Sequence, residues 1–312
     1  MERGGKRGDA MPVSSDNLNL NLNLNLGASP AGGAAATGYG RPRFNTEDMD
    51  KLAPAPFPSV LKLPKKRYSE NWDPDLRAWA YLQDFIVEGR WGSQRTPVDF
   101  VYNEINRQNV FPVPNTPGAR YPLDEAGMAN EVLSVLNASL DRADRAMEIL
   151  DQASAVGALN YWTGLLRIDP SQDRNTFLLM LVARKIGEYV AMGLKNRYLM
   201  RRPSQVYSLI LPLLDPPDTP SFPSSHSLQA HLISGLIELA LGRGHQVTVL
   251  ALRHLAGRVA RNREVGGVHY PMDSMAGAFG AALCRDKLSR LDPRGRFWSL
   301  VRAARSELSD LP

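Results

Sequence analysis

Strand-like alternation is scarce in this sequence, whereas helical texture runs from Trp72 almost to its last residue. Residues 123–151 place Val132, Leu136, Leu140, Ala143, Met147 and Leu150 at three- and four-residue steps with charges between them, which predicts one long amphipathic helix. Asp73 reads as a cap with Pro74 at the first helical position, and the apolar, aromatic stretch Leu76–Val87 follows. Further helices are expected at about 174–195, 226–241, 247–262, 271–290 and 293–309. Between Ser204 and Ser225, Pro212, Pro216, Pro217, Pro220 and Pro223 forbid helix in the second half, because each removes an amide donor and clashes with the preceding turn. The expected fold class is all-α, a helical bundle around one apolar core.

The first sixty-odd residues are rich in Gly, Ala, Pro, Asn and Ser and carry no periodic apolar stripe. We expect residues 1–65 to form a disordered low-complexity tail and 66–312 the helical domain. Within the tail, Asn17–Leu26 alternates with every leucine on one face. It reads as a slipped repeat, with an edge strand added to a partner sheet as the alternative. The opening Met1–Arg7 is basic, but no apolar core of about 7 to 15 residues follows, so a cytoplasmic location is expected.

At 312 residues, with 43% hydrophobic and 22% charged content, the chain is neither wholly disordered nor fibrous. Apolar runs such as Phe177–Ala183 fall far short of the roughly 18 to 20 residues a membrane-crossing helix needs, which argues against an integral membrane protein. A single cysteine, Cys284, can build neither an internal disulfide nor a cysteine zinc cluster. The net charge of +5 suits an anionic small molecule, nucleic acid or anionic lipid equally and selects none.

Three segments carry the chemistry. In Lys195-Asn-Arg-Tyr-Leu-Met-Arg-Arg202-Pro203, a continuing helix would project Lys195 and Arg202 from one face, two turns apart. Two such cations can grip one phosphate; alternatively they complement the helix C-terminal dipole and meet solvent. Pro223-Ser224-Ser225-His226 precedes an apolar helix and suits its N-terminus, where unpaired amides make an anion site; serines also cap many helices that bind nothing. In Arg263-Glu-Val-Gly-Gly-Val-His269-Tyr-Pro-Met-Asp273, Pro271 suits a first helical turn, which puts a carboxylate close enough to fix the tautomer of His269. An oriented imidazole beside an arginine and an anion-holding helix end can attack phosphorus; an ordinary capping Asp beside an unrelated His is the plainer alternative.

Taken together, these segments resemble the phosphate-binding signature of the type 2 phosphatidate phosphatase, bacterial acid phosphatase and vanadium haloperoxidase superfamily. The signature runs Lys, six residues, Arg-Pro; then Pro-Ser-Gly-His; then Ser-Arg, five residues, His, three residues, Asp. Here it reads Lys195 with Arg202-Pro203, Pro223-Ser224-Ser225-His226, and Asn262-Arg263 with His269 and Asp273. The resemblance covers about a quarter of the chain, none of it before residue 170, and implies that superfamily's helical bundle. It implies that Lys195, Arg202 and Arg263 hold the phosphate oxygens, with the Ser224 hydroxyl and the Ser225 amide as further donors. His269 would then be the nucleophile that becomes phosphohistidine, Asp273 would polarise its ring, and His226 would protonate the leaving oxygen and activate water. Two positions depart from the pattern: Ser225 stands where the superfamily has glycine, so a side chain can intrude on the anion, and Asn262 replaces serine.

The expected function is a soluble, metal-independent phosphatase acting on a small-molecule phosphate ester, with no cofactor. The alternative implied by the same resemblance is a vanadium haloperoxidase, with vanadate as cofactor and His269 as its ligand. A third reading is a non-catalytic protein that binds nucleic acid or anionic lipid through 195–202 and 258–263; it leaves the His269–Asp273 pairing unexplained. Nucleic acid is therefore not expected as a partner, and peripheral contact with anionic lipid stays open. His231, His245 and His254 fall outside the pattern.

Overall fold

A computed structural model describes residues 72–107, 125–309 and 311, and the expected tail, with its Asn17–Leu26 repeat, lies outside them. The described residues form helices joined by loops, without strands, so the chain is all-α there: α1 (Pro74–Glu88), α2 (Pro97–Arg107), α3 (Glu125–Ala138), α4 (Arg142–Asp151), α5 (Ala155–Leu166), α6 (Arg174–Tyr198), the single turn α7 (Pro203–Val206), α8 (Ser225–Leu241), α9 (Gln246–Val265), α10 (Pro271–Ser289) and α11 (Arg296–Glu307). None of these helices is long and apolar enough to cross a membrane.

The centre of the bundle is α8, which packs on α6, α9 and α10. Its apolar residues circle the axis rather than forming a stripe, and Leu228, Leu232, Ile233, Leu236, Ile237 and Ala240 are all buried; a helix apolar on every side belongs in a core. Helix α6 is buried almost continuously from Leu178 to Ile186 and is flanked by α1 and α11. Its first turn is closed by Glu307 of α11, whose carboxylate accepts the Asn175 amide at 3.1 Å and the Thr176 amide at 2.7 Å. Those amides have no intrahelical partner, and an anion there also meets the positive end of the dipole. The Asp73 cap is as expected, accepting the Leu76 amide at 3.0 Å.

The long helix expected over 123–151 is broken: α3 ends at Ala138, a 3₁₀ turn spans Ser139–Asp141, and α4 begins at Arg142. Beyond the break the apolar stripe faces outward, with Leu140 81% and Met147 80% exposed, while Ile149 is buried. The reorientation follows the arginines, since Arg142 Nε reaches the Val265 carbonyl at 2.8 Å and Arg145 Nη1 reaches Asn262 at 3.0 Å. Helices α2 and α5 are additional to those read from the sequence.

Helix α10 rests directly on the start of α8. A Cβ at Gly277 would fall 2.7 Å from the Ser224 carbonyl oxygen and 2.9 Å from the Leu228 amide nitrogen, both backbone atoms. Gly277→Ala must therefore push the helices apart, and we expect a loss of about 1–3 kcal/mol in denaturant unfolding, the usual cost of overpacking.

Candidate active site

Two helix N-termini are cinched together at the base of the site. The Ser224 amide donates to the Asp273 carbonyl at 3.0 Å, and Ser227 Oγ donates to the Ser274 carbonyl at 2.6 Å. Ser224 also caps α8, its hydroxyl oxygen accepting the Ser227 amide. Ser225 and His226 are the first two residues of α8, positions whose amides have no intrahelical carbonyl to reach. Ser225 lies in helical conformation with negative φ, so a side chain brings no backbone strain at a position where the superfamily pattern has glycine. On the other helix, Pro271 opens α10, and Gly267, at φ 78°, makes the turn that brings His269 back from the end of α9.

The His269–Asp273 pairing is present. Nδ1 of His269 donates to Asp273 Oδ2 at 2.8 Å, and the same oxygen accepts the Ser221 hydroxyl at 2.5 Å and the Tyr270 amide at 3.1 Å. With the proton held at Nδ1, Nε2 keeps its lone pair, and Arg202 Nη1 stands 3.3 Å from it. Burial holds the pKa of His269 well below that of a free imidazole, helped by the charges of Lys195, Arg202 and Arg263. Burial raises the pKa of Asp273, opposed by the Ser221 hydroxyl and by Lys195.

Lys195 and Arg202 reach the site by a different route from the one expected. Helix α6 stops at Tyr198, where Leu199 takes a left-handed conformation (φ 49°) and its amide closes on the Lys195 carbonyl. Arg202 is extended (φ −75°, ψ 159°), as suits a residue before proline. Carbonyls of the proline-rich loop bring the two cations together. Lys195 Nζ donates to Pro220 and, at 2.9 Å, to Ser221, while Arg202 Nε donates to Pro217 and Thr219 and its Nη1 to Val268 at 2.7 Å. Arg263, in the last turn of α9, donates from Nη2 to the Ile149 carbonyl at 2.8 Å, and its Nε is buried without a partner.

All three cations are buried, and each is held by carbonyl oxygens rather than by a carboxylate. Burial lowers Arg202 and Arg263 to about 10 each, and burial together with Arg202 lowers Lys195. Of the two buried carboxylates among the described residues, Glu264 is taken by Arg261 at 2.7 Å, so Asp273 is the buried carboxylate at the three cations, with Asp218 of the proline-rich loop a further acidic neighbour of Arg202. Cationic groups outnumber the carboxylates around them, which suits an anion; buried charge of one sign is costly until a counter-charge arrives.

His226 sits at the same place. Its pKa is held well below the ordinary imidazole value by burial first, then by Arg263, His269 and Lys195, with the backbone of Gln152 acting in the opposite sense. All eight residues singled out from the sequence, Lys195, Arg202, Ser224, Ser225, His226, Arg263, His269 and Asp273, thus gather in one region. Asn262, the second departure, keeps a hydrogen-bonding role: its amide donates to Gln152 Oε1 at 2.8 Å and its oxygen accepts from Arg145.

Sequence reading missed Ser221, Thr219, Ile149 and Gln152. Ser221 stands three residues before Ser224 and could have been suspected from that proximity alone. Ile149 and Gln152 act through backbone carbonyls, which leave no mark in a sequence. Comparison of the whole chain with known proteins finds no family that matches it and no curated relative with significant similarity.

Proposed function

We propose that this protein is a phosphatase that transfers the phosphoryl group of a phosphate ester to His269 and then to water. The observation that carries the reading is the pairing of an imidazole, fixed at Nδ1 by Asp273, with three buried cations held by backbone carbonyls rather than by carboxylates. Arg263 Nε, buried and unpartnered, is one donor such an anion would satisfy. In the first step Nε2 of His269 forms a bond to phosphorus as the bond to the leaving oxygen breaks, and His226 delivers a proton to that oxygen. In the second step water attacks phosphorus, His226 takes up its proton, and the P–N bond breaks to release phosphate. Asp273 holds Nδ1–H throughout, and the cations stabilise charge spread over the equatorial oxygens.

Leu209 is 68% and Leu211 71% exposed in the loop that Arg202 fastens, an exposed apolar surface that supports peripheral contact with a lipid. Vanadate is a tetrahedral oxyanion that the same donors suit, with His269 as its ligand; bound there, it would supply the peroxide chemistry of a haloperoxidase.

The test is hydrolysis of an aryl phosphate by purified protein in chelator, with and without vanadate. Chelator-resistant turnover inhibited by vanadate supports the reading. No turnover, with halide oxidation by the vanadate-loaded protein and peroxide, overturns it in favour of the haloperoxidase. The pH dependence is equally specific. His226 is neutral in the free protein because its pKa is depressed, so its acidic proton arrives with a monoanionic substrate. We expect kcat/KM to fall about tenfold per pH unit above the substrate's second pKa, near 6. A profile flat to pH 8 would contradict this.

A further inference from the structure

We infer that Ser221 is a positioning residue that holds the Asp273 carboxylate turned to His269 and ionised during phosphoryl transfer, an assignment that rests on the phosphatase reading. Ser221 is completely buried in the proline-rich loop, and its hydroxyl donates to Asp273 Oδ2 at 2.5 Å. The same oxygen accepts from His269 Nδ1 at 2.8 Å and from the Tyr270 amide at 3.1 Å, whereas Asp273 Oδ1 is buried with no hydrogen-bond partner. An ionised carboxylate has about four acceptor sites spread over its two oxygens. Here the donors all stand on one oxygen, so the buried anion is supported only through the atom that meets the imidazole.

The backbone of Ser221 is fixed as firmly as its side chain. Its amide donates to the Met200 carbonyl at 2.8 Å, and its carbonyl accepts from Lys195 Nζ at 2.9 Å. A hydroxyl on so anchored a backbone does not follow the carboxylate when it turns; it stops the turn, and with it the rotation of the imidazole that Oδ2 holds. Once Nε2 of His269 bonds to phosphorus, the ring with its proton at Nδ1 is a cation, which an ionised Asp273 balances. Burial favours the neutral acid, and a hydrogen bond donated to the charged form opposes it. Ser221 thus serves both sides of the transfer, the phosphate-binding Lys195 through its carbonyl and the nucleophile through its hydroxyl. Changing the side chain removes the second contribution and leaves the first.

The test compares the full chain with its Ser221→Ala variant on an aryl phosphate. Phosphohistidine formation, read by rapid acid quench, is expected to slow about 10- to 100-fold, as when a supporting residue is lost, while the inhibition constant of inorganic phosphate stays within about threefold of wild type. Ser221→Cys places a weaker donor at the same point and is expected to fall between wild type and Ser221→Ala. It carries the comparison should Ser221→Ala fail to fold. If Ser221 served only to pack the loop, its loss would free the carbonyls that hold Lys195, and phosphate affinity would fall together with the rate. A loss of phosphate affinity as large as the loss of rate, or an unchanged rate in the folded variant, overturns the role of Ser221, while phosphohistidine in the wild type leaves the phosphatase reading standing. Absence of phosphohistidine from the wild type overturns the phosphatase reading itself.

Discussion

His269→Ala is expected to lose phosphoryl transfer by about 10⁴-fold or more, the scale seen when the nucleophile of a concerted catalytic group is removed. The loss should fall on kcat rather than on oxyanion affinity, because the imidazole contributes a bond that exists only once transfer has begun, whereas Lys195, Arg202 and Arg263 remain to hold the substrate. No phosphohistidine should be trapped in rapid acid quench. The variant should also leave Asp273 changed. Without Nδ1–H its oxygen keeps Ser221 and the Tyr270 amide as donors, so its already raised pKa should rise further. Residual turnover within tenfold of wild type would show that His269 is not the attacking group.

Arg263→Met is expected to separate activity from stability. The guanidinium is buried, its Nε has no partner, and its pKa is pushed down to about 10, all signs of a charge held at a cost. Losing it should lower kcat/KM by about 10³- to 10⁵-fold, the worth of an arginine that stabilises a phosphoryl transition state. The apo protein should meanwhile gain stability. Replacing an uncompensated buried ion by an apolar side chain of similar volume contributes about 1–4 kcal/mol, from which about 1 kcal/mol is lost because the Ile149 carbonyl gives up its donor. Thermal unfolding with added phosphate checks both halves. Wild type should be stabilised by about 2.7 kcal/mol at a hundredfold excess over Kd, and the variant, starting higher, should hardly respond.

The residues that could be read in advance are those whose job is tied to a local chain feature. Ser224 and Ser225 sit beside a proline at a helix start, and Asp273 sits one turn after His269, so a few adjacent letters carried their placement. The helix starts expected at about 174, 226 and 271 lie within a residue of the observed Arg174, Ser225 and Pro271. Arg202 was placed near Lys195 for an incorrect reason. The helix ends four residues before it, and loop carbonyls rather than helical spacing bring the two together. The region before residue 170 looked unrelated to the site because α4 contributes through Ile149 and Gln152 carbonyls, and every residue has a carbonyl. Leu140 and Met147 misled because an apolar period says which residues share a face, not that the face is covered.

The loop after Arg202 is fastened at its later foot, by Arg202 on Pro217 and Thr219 and by Lys195 on Pro220 and Ser221, and pinned before it by Arg142 on the Leu211 carbonyl and by the Leu213 amide on Gly266. A segment clasped at its base is a closed ring in polymer terms, and the entropy of closing a ring grows only with the logarithm of its length, by about 0.6 kcal/mol per doubling. Residues inserted or exchanged between these pins therefore leave the clasp, and the charges that make it, almost untouched. The exposed side chains of the loop are thus free to drift while the cations it secures stay fixed, so the loop's outer surface can change without redrawing the charged floor beneath it.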